Sequence, residues 1–425
     1  MEIKEFITPD KRHLILVPYF LKKFYKKYKY HELSKNIVIK KLSIILNIKI
    51  IGKIKAFLRI IIQSSIFFHK PDNYDFLIFD KEQSEPIKKL LPSKNFKIIS
   101  NRIEHINEIY LTYEIIYFMF KNFFYRSLRL NYLIALITRI KPKTIITYND
   151  HLSDFHIIAR YFKNSAIKFV AVQQAGRVKA NAHKKVYIPY FFTFGKYEKD
   201  LFKRNCEKNH KFFPIGSLKL SMALEFFKKK KIDFDKNNYD ICVISEPRRF
   251  LNRDFPGRND MNENRALIFK HAINYCEKFK KRIIISGKSD IRDKKNKECE
   301  YIVYKHYLDN LNLKICFNNK NDYGSYLNML NSKIVIGSKS TMLQEALGIG
   351  KKVIYCDYEN DPNLFPKVDG ICVLKDKSYM AFEKKVHMIL KMGKNDYLRN
   401  IKNSREYVYN HKVNTIDSIK KFLRI

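Results

Sequence analysis

The apolar positions of this chain fall into short runs, each bounded by polar or turn residues and followed by a stretch with helical spacing. "DFLIFD" (75–80), "FKIIS" (96–100), "TIITYND" (144–150), "IKFVAVQQ" (167–174), "YFFTFG" (190–195) and "KFFPIG" (211–216) have the length and the β-branched or aromatic content of buried strands. Between them lie "EPIKKLL", a long amphipathic stretch over 106–140, "HLSDFHIIARYFK" and "KYEKDLFKRN". A charged, Asn-rich interval, 225–240, then carries no apolar period, and its centre reads as a linker. The alternation resumes with "DICVISE" (240–246), "RIIISG" (282–287), "LKICFN" (313–318), "KIVIGS" (333–338) and "KVIYCD" (352–357). "KVNTIDSIKKFLRI" reads as a last amphipathic helix.

Strands alternating with helices predict parallel sheets covered by helices on both faces. The expected class is therefore α/β, with two Rossmann-like, doubly wound domains facing across a cleft. The expected boundaries are 1–228 for an N-terminal domain, 229–239 for the linker, 240–408 for a C-terminal domain, and 409–425 for a helix packing back on the first domain. Ligands of such sheets sit outside the carboxyl ends of the strands, so the polar strand-end loops are the place to look for chemistry.

Composition changes this picture in three respects. At 425 residues the chain is too long for one ordinary domain, and 46% hydrophobic residues with Gly 12 and Pro 12 exclude a disordered or fibrous chain. The 83 Lys+Arg against 42 Asp+Glu give a net charge of +41, with lysines in nearly every block. A charge so evenly spread reads as general surface composition; a nucleic-acid-binding protein is the competing reading, marked by tight, salt-sensitive binding. Residues 19–70 differ, because bases there interleave with large apolar side chains. That pattern suits an anionic membrane face or a basic-rimmed pair of core helices. No apolar run approaches the ~20 residues of a membrane span, and "MEIKEFITPDKRH" has no signal-peptide pattern. The seven cysteines are scattered without a CxxC pair, and Cys242 and Cys356 read as small core residues. The expected location is cytoplasmic, peripheral on the inner face of the membrane.

The most informative stretch is "KIVIGSKSTMLQEALGIGKKVIYCD" (333–357). A buried strand ends at Gly337, and Ser338, Ser340 and Thr341 open a helix. Helix N-termini present unpaired N–H groups and partial positive charge, which favour phosphate. Glu345 follows one turn along the same face, placed to accept from ribose hydroxyls. The bland counterpart is a plain N-cap with a solvated glutamate. "VISEPRRF" adds Ser245, Glu246 and Arg248 at another strand end. Arginine forks suit phosphate.

Strand, "GSKST", helix with a glutamate and "GIGKKVIY" resemble the donor-nucleotide unit of GT-B glycosyltransferases, and within that fold bacterial surface-polysaccharide enzymes of the Kdo- and sialic-acid-transferring kind. A second set, "TYNDHLSDFHIIARYF…IKFVAVQQAGRV…YFFTFGKYEKDLF…FFPIGSLK", resembles surface carbohydrate biosynthesis proteins, and the same order occurs in teichoic acid polymerases. Together the resemblances cover about 144–360. They imply a nucleotide-sugar donor, a glycan or lipid-linked acceptor, and no cofactor. Ser340 and Thr341 would hold the donor phosphate, with Ser338 supporting. One departure stands out: where a His-Pro pair is usual, this chain has Ser286, Gly287 and Lys288, and Lys288 would meet the phosphate.

A base for the acceptor hydroxyl should come from the first domain. "YNDH" offers Asp150 and His151, Asp150 being also an apt N-cap. Gln173, Gln174, Gly176 and Arg177 form the neighbouring loop and would contact sugar or acceptor. With no D-x-D-type motif between the halves, metal independence is expected. A polyol-phosphate transferase and a sugar-nucleotide epimerase-like relative are the enzymatic alternatives.

Overall fold

The computed structural model describes residues 62, 64–91, 95–100, 106–122, 126–179, 187–203, 210–234, 237–247, 258–308, 315–360 and 368–425. Most of the basic apolar segment 19–70, and Arg248, lie outside these residues. The chain divides into two units. One, Met1–Pro71 with Ser100–Leu136, contains a parallel strand pair, β1 (Ser65–Phe67) and β4 (Glu108–Tyr110), and helix α1 (Tyr113–Lys121). Helix α2 (Leu128–Ile140) follows in sequence.

The other unit, Asp72–Ile99 with Ile137–Ile425, holds two six-stranded sheets. The first comprises β2 (Phe76–Phe79), β3 (Phe96–Ile99), β5 (Thr144–Thr147), β6 (Lys168–Val172), β7 (Tyr190–Thr193) and β8 (Lys211–Pro214). Its order is β3-β2-β5-β6-β7-β8, every pairing parallel. Helices α3 (Ser153–Tyr161), α4 (Lys196–Lys203) and α5 (Leu218–Lys229) accompany it. The second sheet comprises β9 (Tyr239–Ile244), β10 (Ile283–Asp290), β11 (Ile315–Asn318), β12 (Ser332–Gly337), β13 (Lys352–Cys356) and β14 (Val373–Leu374), in the order β11-β10-β9-β12-β13-β14, again all parallel. With it run α6 (Arg258–Lys278), α7 (Lys294–Tyr307), α8 (Gly324–Leu330), α9 (Thr341–Gly348), α10 (Tyr379–Lys391) and α11 (Lys394–Val408). Central strands buried on both faces explain the near-continuous apolar runs. The final helix, α12 (Thr415–Leu423), returns to put Ile416, Ile419 and Leu423 into the core of the first sheet beside Ile78, Val170 and Phe192.

Two elements differ from expectation. The stretch 106–140 is no single helix: β4 takes its start, and the Thr112 hydroxyl then accepts from Ile115 N at 3.4 Å to cap α1. Strand β10 runs on to Asp290, so Lys288 lies within it as an exposed residue. The cause is Glu300 of α7, whose carboxylate accepts from the N–H groups of Lys288 and Ser289, each at 2.9 Å.

The two sheets share a core in which Phe194, Tyr197, Leu220 and Phe227 pack with residues of the second sheet and its helices. Their backbones meet at glycines. A Cβ on Gly195 would fall on the Val408 main chain, and one on Gly348 on the Tyr409 ring. Two buried carboxylates complete the junction. Glu198 accepts from Gln173 Nε2 at 2.9 Å, Gln344 Nε2 at 3.1 Å and Gly195 N at 3.2 Å. Glu345 accepts from the Ser217 hydroxyl and, at 3.1 Å, from Tyr326. Burial pushes the Glu345 pKa up to about 7, although Ser217, the Lys219 charge and Tyr326 pull it down.

The sign of the pH effect follows. Between the ordinary carboxyl value of 4.5 and about 7, the folded chain holds a proton on Glu345 that the unfolded chain has released. Stability from this group is full below that window and is lost as pH rises through it. Glu345→Gln should flatten the slope and stabilise the protein at pH 8 by roughly 3 kcal/mol, checked by denaturant titration at pH 5 and pH 8; an unchanged slope would contradict the assignment. Gly195→Ala should cost about 1–3 kcal/mol, because the opposing atoms are backbone. A shifted denaturation midpoint with an unchanged m-value is the expected record.

Candidate functional site

At the carboxyl end of the first sheet, β5 and β6 are neighbours, and their loops interlock. Asp150 and Arg177 form an ion pair whose side chains are 1% and 2% exposed. Arg177 Nε donates to Asp150 Oδ2 at 3.0 Å, Gln174 N donates to Oδ1 at 3.3 Å, and Arg177 Nη1 meets His151 Nε2. Behind them Asp80, at the end of β2 with φ 83, accepts from Asn149 Nδ2 at 3.0 Å. A non-glycine residue in that conformation needs such surroundings to hold it.

Three of the candidates are bound into the fold itself. Asp150 is a buried carboxylate paired with Arg177. Arg177 in turn reaches both Asp150 and His151. Gln173, 1% exposed, donates to Glu198 and to Ala175 O at 2.9 Å, and accepts from Phe194 N at 2.8 Å. Its whole amide is used in positioning the loop. His151 is exposed with its Nε2 against Arg177, and the half-buried Gln174 bonds, among the described residues, through its backbone N–H.

At the carboxyl end of the second sheet, Ser340 caps α9, its hydroxyl accepting from Met342 N at 3.3 Å. Ser338 is buried just before it. Lys339 N donates to Glu246 Oε2 at 3.2 Å, and Lys339 Nζ pairs with Glu359. The Ser245 hydroxyl donates to Glu300, the carboxylate that also holds the β10 backbone. Ser245, Glu246 and the Ser338–Thr341 turn are thus brought together, and the Lys288 backbone joins them through Glu300, which accepts from both Ser245 and Lys288 N. The Glu345 carboxylate, expected at a ribose, uses Oε1 for Ser217 and Tyr326, and its Oε2 carries no hydrogen bond from the described residues.

The two clusters touch. Gly176 N donates to Thr341 Oγ1 at 2.9 Å, and a Cβ on Gly176 would stand 2.5 Å from Gln344 Oε1. The glycine thus admits the opposite half more than a ligand. Beside this contact, the Tyr148 hydroxyl is buried without a hydrogen-bond partner among the described residues. Burial first, then the Glu345 and Asp150 charges, hold its pKa well above the ordinary phenol range. Tyr148, Glu198, Glu300 and Glu359 were missed as sequence candidates. For Glu198 and Glu300 the signal was there: each carboxylate shares a helix face with buried apolar residues, Phe202 in one case, Val303 and Tyr304 in the other.

Comparison with known proteins sets this geometry in context. The family model described as "putative O-antigen biosynthesis protein" matches residues 170–362. No curated protein matches the chain significantly. Among solved structures, a "putative UDP-N-acetylglucosamine 2-epimerase" from Listeria monocytogenes aligns with a TM-score of 0.51 at 12% identity, over 84% of this chain and 98% of that one. A wall teichoic acid polymerase aligns at TM-score 0.48 and 9% identity, over 82% and 88%. A glycosyltransferase from Rickettsia africae aligns at 0.44 and 12%, over 83% and 98%. The two all-parallel sheets and the first of these alignments give this chain the GT-B fold.

Proposed function

We propose that the protein is a glycosyltransferase of surface-glycan biosynthesis, moving a sugar from a nucleotide-sugar donor to a glycan or lipid-linked acceptor. The observation that carries the reading is the hydrogen bond from Gly176 to Thr341. It joins a polar strand-end loop of one sheet to a helix N-terminus of the other, the arrangement needed to bring acceptor and donor together. The stretch matched by the O-antigen family model begins in β6 and ends past β13, so it includes both partners of that bond.

In this reading the donor phosphates lie at the α9 N-terminus, over Ser340 and Thr341, with Ser338, Ser245, Glu246 and Lys339 around them. Helix N–H groups offset the charge that builds on the leaving phosphate. Glu345 Oε2 is left to accept from a donor hydroxyl. The Asp150–His151 pair, linked through Arg177, supplies the base that takes the proton of the acceptor hydroxyl as its oxygen bonds to the anomeric carbon and the carbon–phosphate-oxygen bond breaks. Gln174 contacts sugar or acceptor. A Kdo- or nonulosonic-type donor is the specific proposal, and a lipid-linked acceptor would place the enzyme at the inner face of the cytoplasmic membrane. Among the described residues no helix is long and apolar enough to cross a membrane.

A panel of CMP-, UDP- and GDP-sugars with CDP-polyols tests the reading, by calorimetric binding and transfer assay. A sugar nucleotide should bind, and Ser340→Ala with Thr341→Ala should weaken it about tenfold or more. No nucleotide binding would sink the proposal, and transfer from CDP-polyols alone would redirect it to polyol phosphate. His151→Ala should lower kcat by about 10²–10⁴ with nucleotide affinity unchanged. Gln174→Ala should raise the acceptor KM at unaltered stability, whereas Gln173→Ala, which strips partners from buried Glu198, should lower stability by about 1–3 kcal/mol.

A further inference from the structure

Helix α1 has its apolar stripe on the wrong side for a helix of a folded core. Tyr113, Ile116, Tyr117 and Phe120 follow the i, i+3, i+4, i+7 spacing that ordinarily faces inward. Here they are 78%, 36%, 54% and 69% exposed, while Ile115 on the opposite face is fully buried. The helix is held from behind: the Thr112 hydroxyl caps it, and Asn131 Nδ2 of α2 donates to Met119 O at 3.3 Å. The outward side chains are arranged in a row. The Tyr113 and Tyr117 rings stack with centroids 6.2 Å apart, and Lys121 Nζ lies 5.7 Å from the Tyr117 ring. Phe68, just past β1 in the same unit, is 75% exposed as well.

We infer that this stripe is a membrane-docking face, seated on an anionic bilayer surface. Tyrosine and phenylalanine with a long basic side chain at the edge are the chemistry of the headgroup level, where an apolar ring and a polar tip are both satisfied. A single row of this width buries only to the acyl boundary, as an interfacial helix does. Charge selects the occupant. Residues 19–70 carry 13 Lys/Arg against one Asp/Glu, far beyond the roughly two-to-one excess of the whole chain. Anionic lipid is the complement of such a sequence, each base near the surface adding to the attraction. The inference stands on exposure and charge and does not require the transfer reaction proposed above.

The chain contains no tryptophan, so Tyr117→Trp places a single fluorescent reporter in the stripe. The full-length protein carrying it is mixed with phosphatidylcholine vesicles, with and without phosphatidylglycerol. The expected result is a blue shift and quenching by brominated lipid on the anionic vesicles only. The triple variant Tyr113→Ser, Tyr117→Ser, Phe120→Ser should lose at least about tenfold in co-sedimentation with those vesicles. Its Tm and nucleotide binding should match wild type. Absence of vesicle binding, binding without a shift of the indole emission, or equal binding to neutral vesicles would overturn the inference. So would a lowered Tm of the triple variant, which would mean that the stripe is covered by the chain itself or by a second copy.

Discussion

The junction of the two sheets depends on one buried carboxylate. Glu198 is fully buried and, among the described residues, faces no cation; its charge is met there by amide and backbone donors, Gln173, Gln344 and Gly195. Burial raises its pKa and these hydrogen bonds lower it. A charge taken out of water is tolerable only when its acceptor sites are filled with good geometry. Filling them ties together three places that sequence separates widely: the loop after β6, the end of β7 and helix α9. Gln344 also donates to Val408 O at 2.7 Å, so the last turn of α11 is drawn into the same node. Any displacement of one half against the other at this point would strand several buried polar groups together.

The strands could be read from the chain because parallel strands buried on both faces leave unbroken apolar runs, and nearly every such run became a strand. What could not be read was which polar group at a strand end turns inward. Gln173 and Gln174 are the same residue type one position apart, yet opposite in use. The ladder continues through Gln173, whose N–H donates to Phe192 O at 2.9 Å, and carries its amide into the junction. Gln174 then falls on the half-exposed side. The partner of Asp150 was hidden for a related reason. An aspartate past a strand looks like a base or a cap, and only the fold brings Arg177 against it from the next loop. Strands β1, β4 and β14 are only two or three residues long and too short to leave a periodicity.

The buried glutamates show where a sharper reading was possible. Glu198 and Phe202 are four apart, and Glu300 lies three and four before Val303 and Tyr304. A carboxylate on the apolar stripe of an amphipathic helix must find donors on whatever that stripe packs against. In both cases most of the donors are N–H groups and side chains at strand ends, with Gln344 of α9 added for Glu198. Such a residue on a helix therefore predicts a structured strand-end loop beside it, even when it never touches a ligand.

Glycine decides how close the halves come. Gly195 lies on the Val408 backbone, Gly348 under the Tyr409 ring, and Gly176 against Gln344. At Gly195 the opposing atoms are main chain, at Gly348 and Gly176 they are the Tyr409 ring and the Gln344 amide. That explains why a loop as polar as "QQAGRV" can be rigid. Its charges are consumed by the Asp150–Arg177 pair, its first amide by Glu198, and its glycine by the opposite half. Gln174 stands on one side of the Gly176–Thr341 contact, and Ser340, which caps α9, on the other.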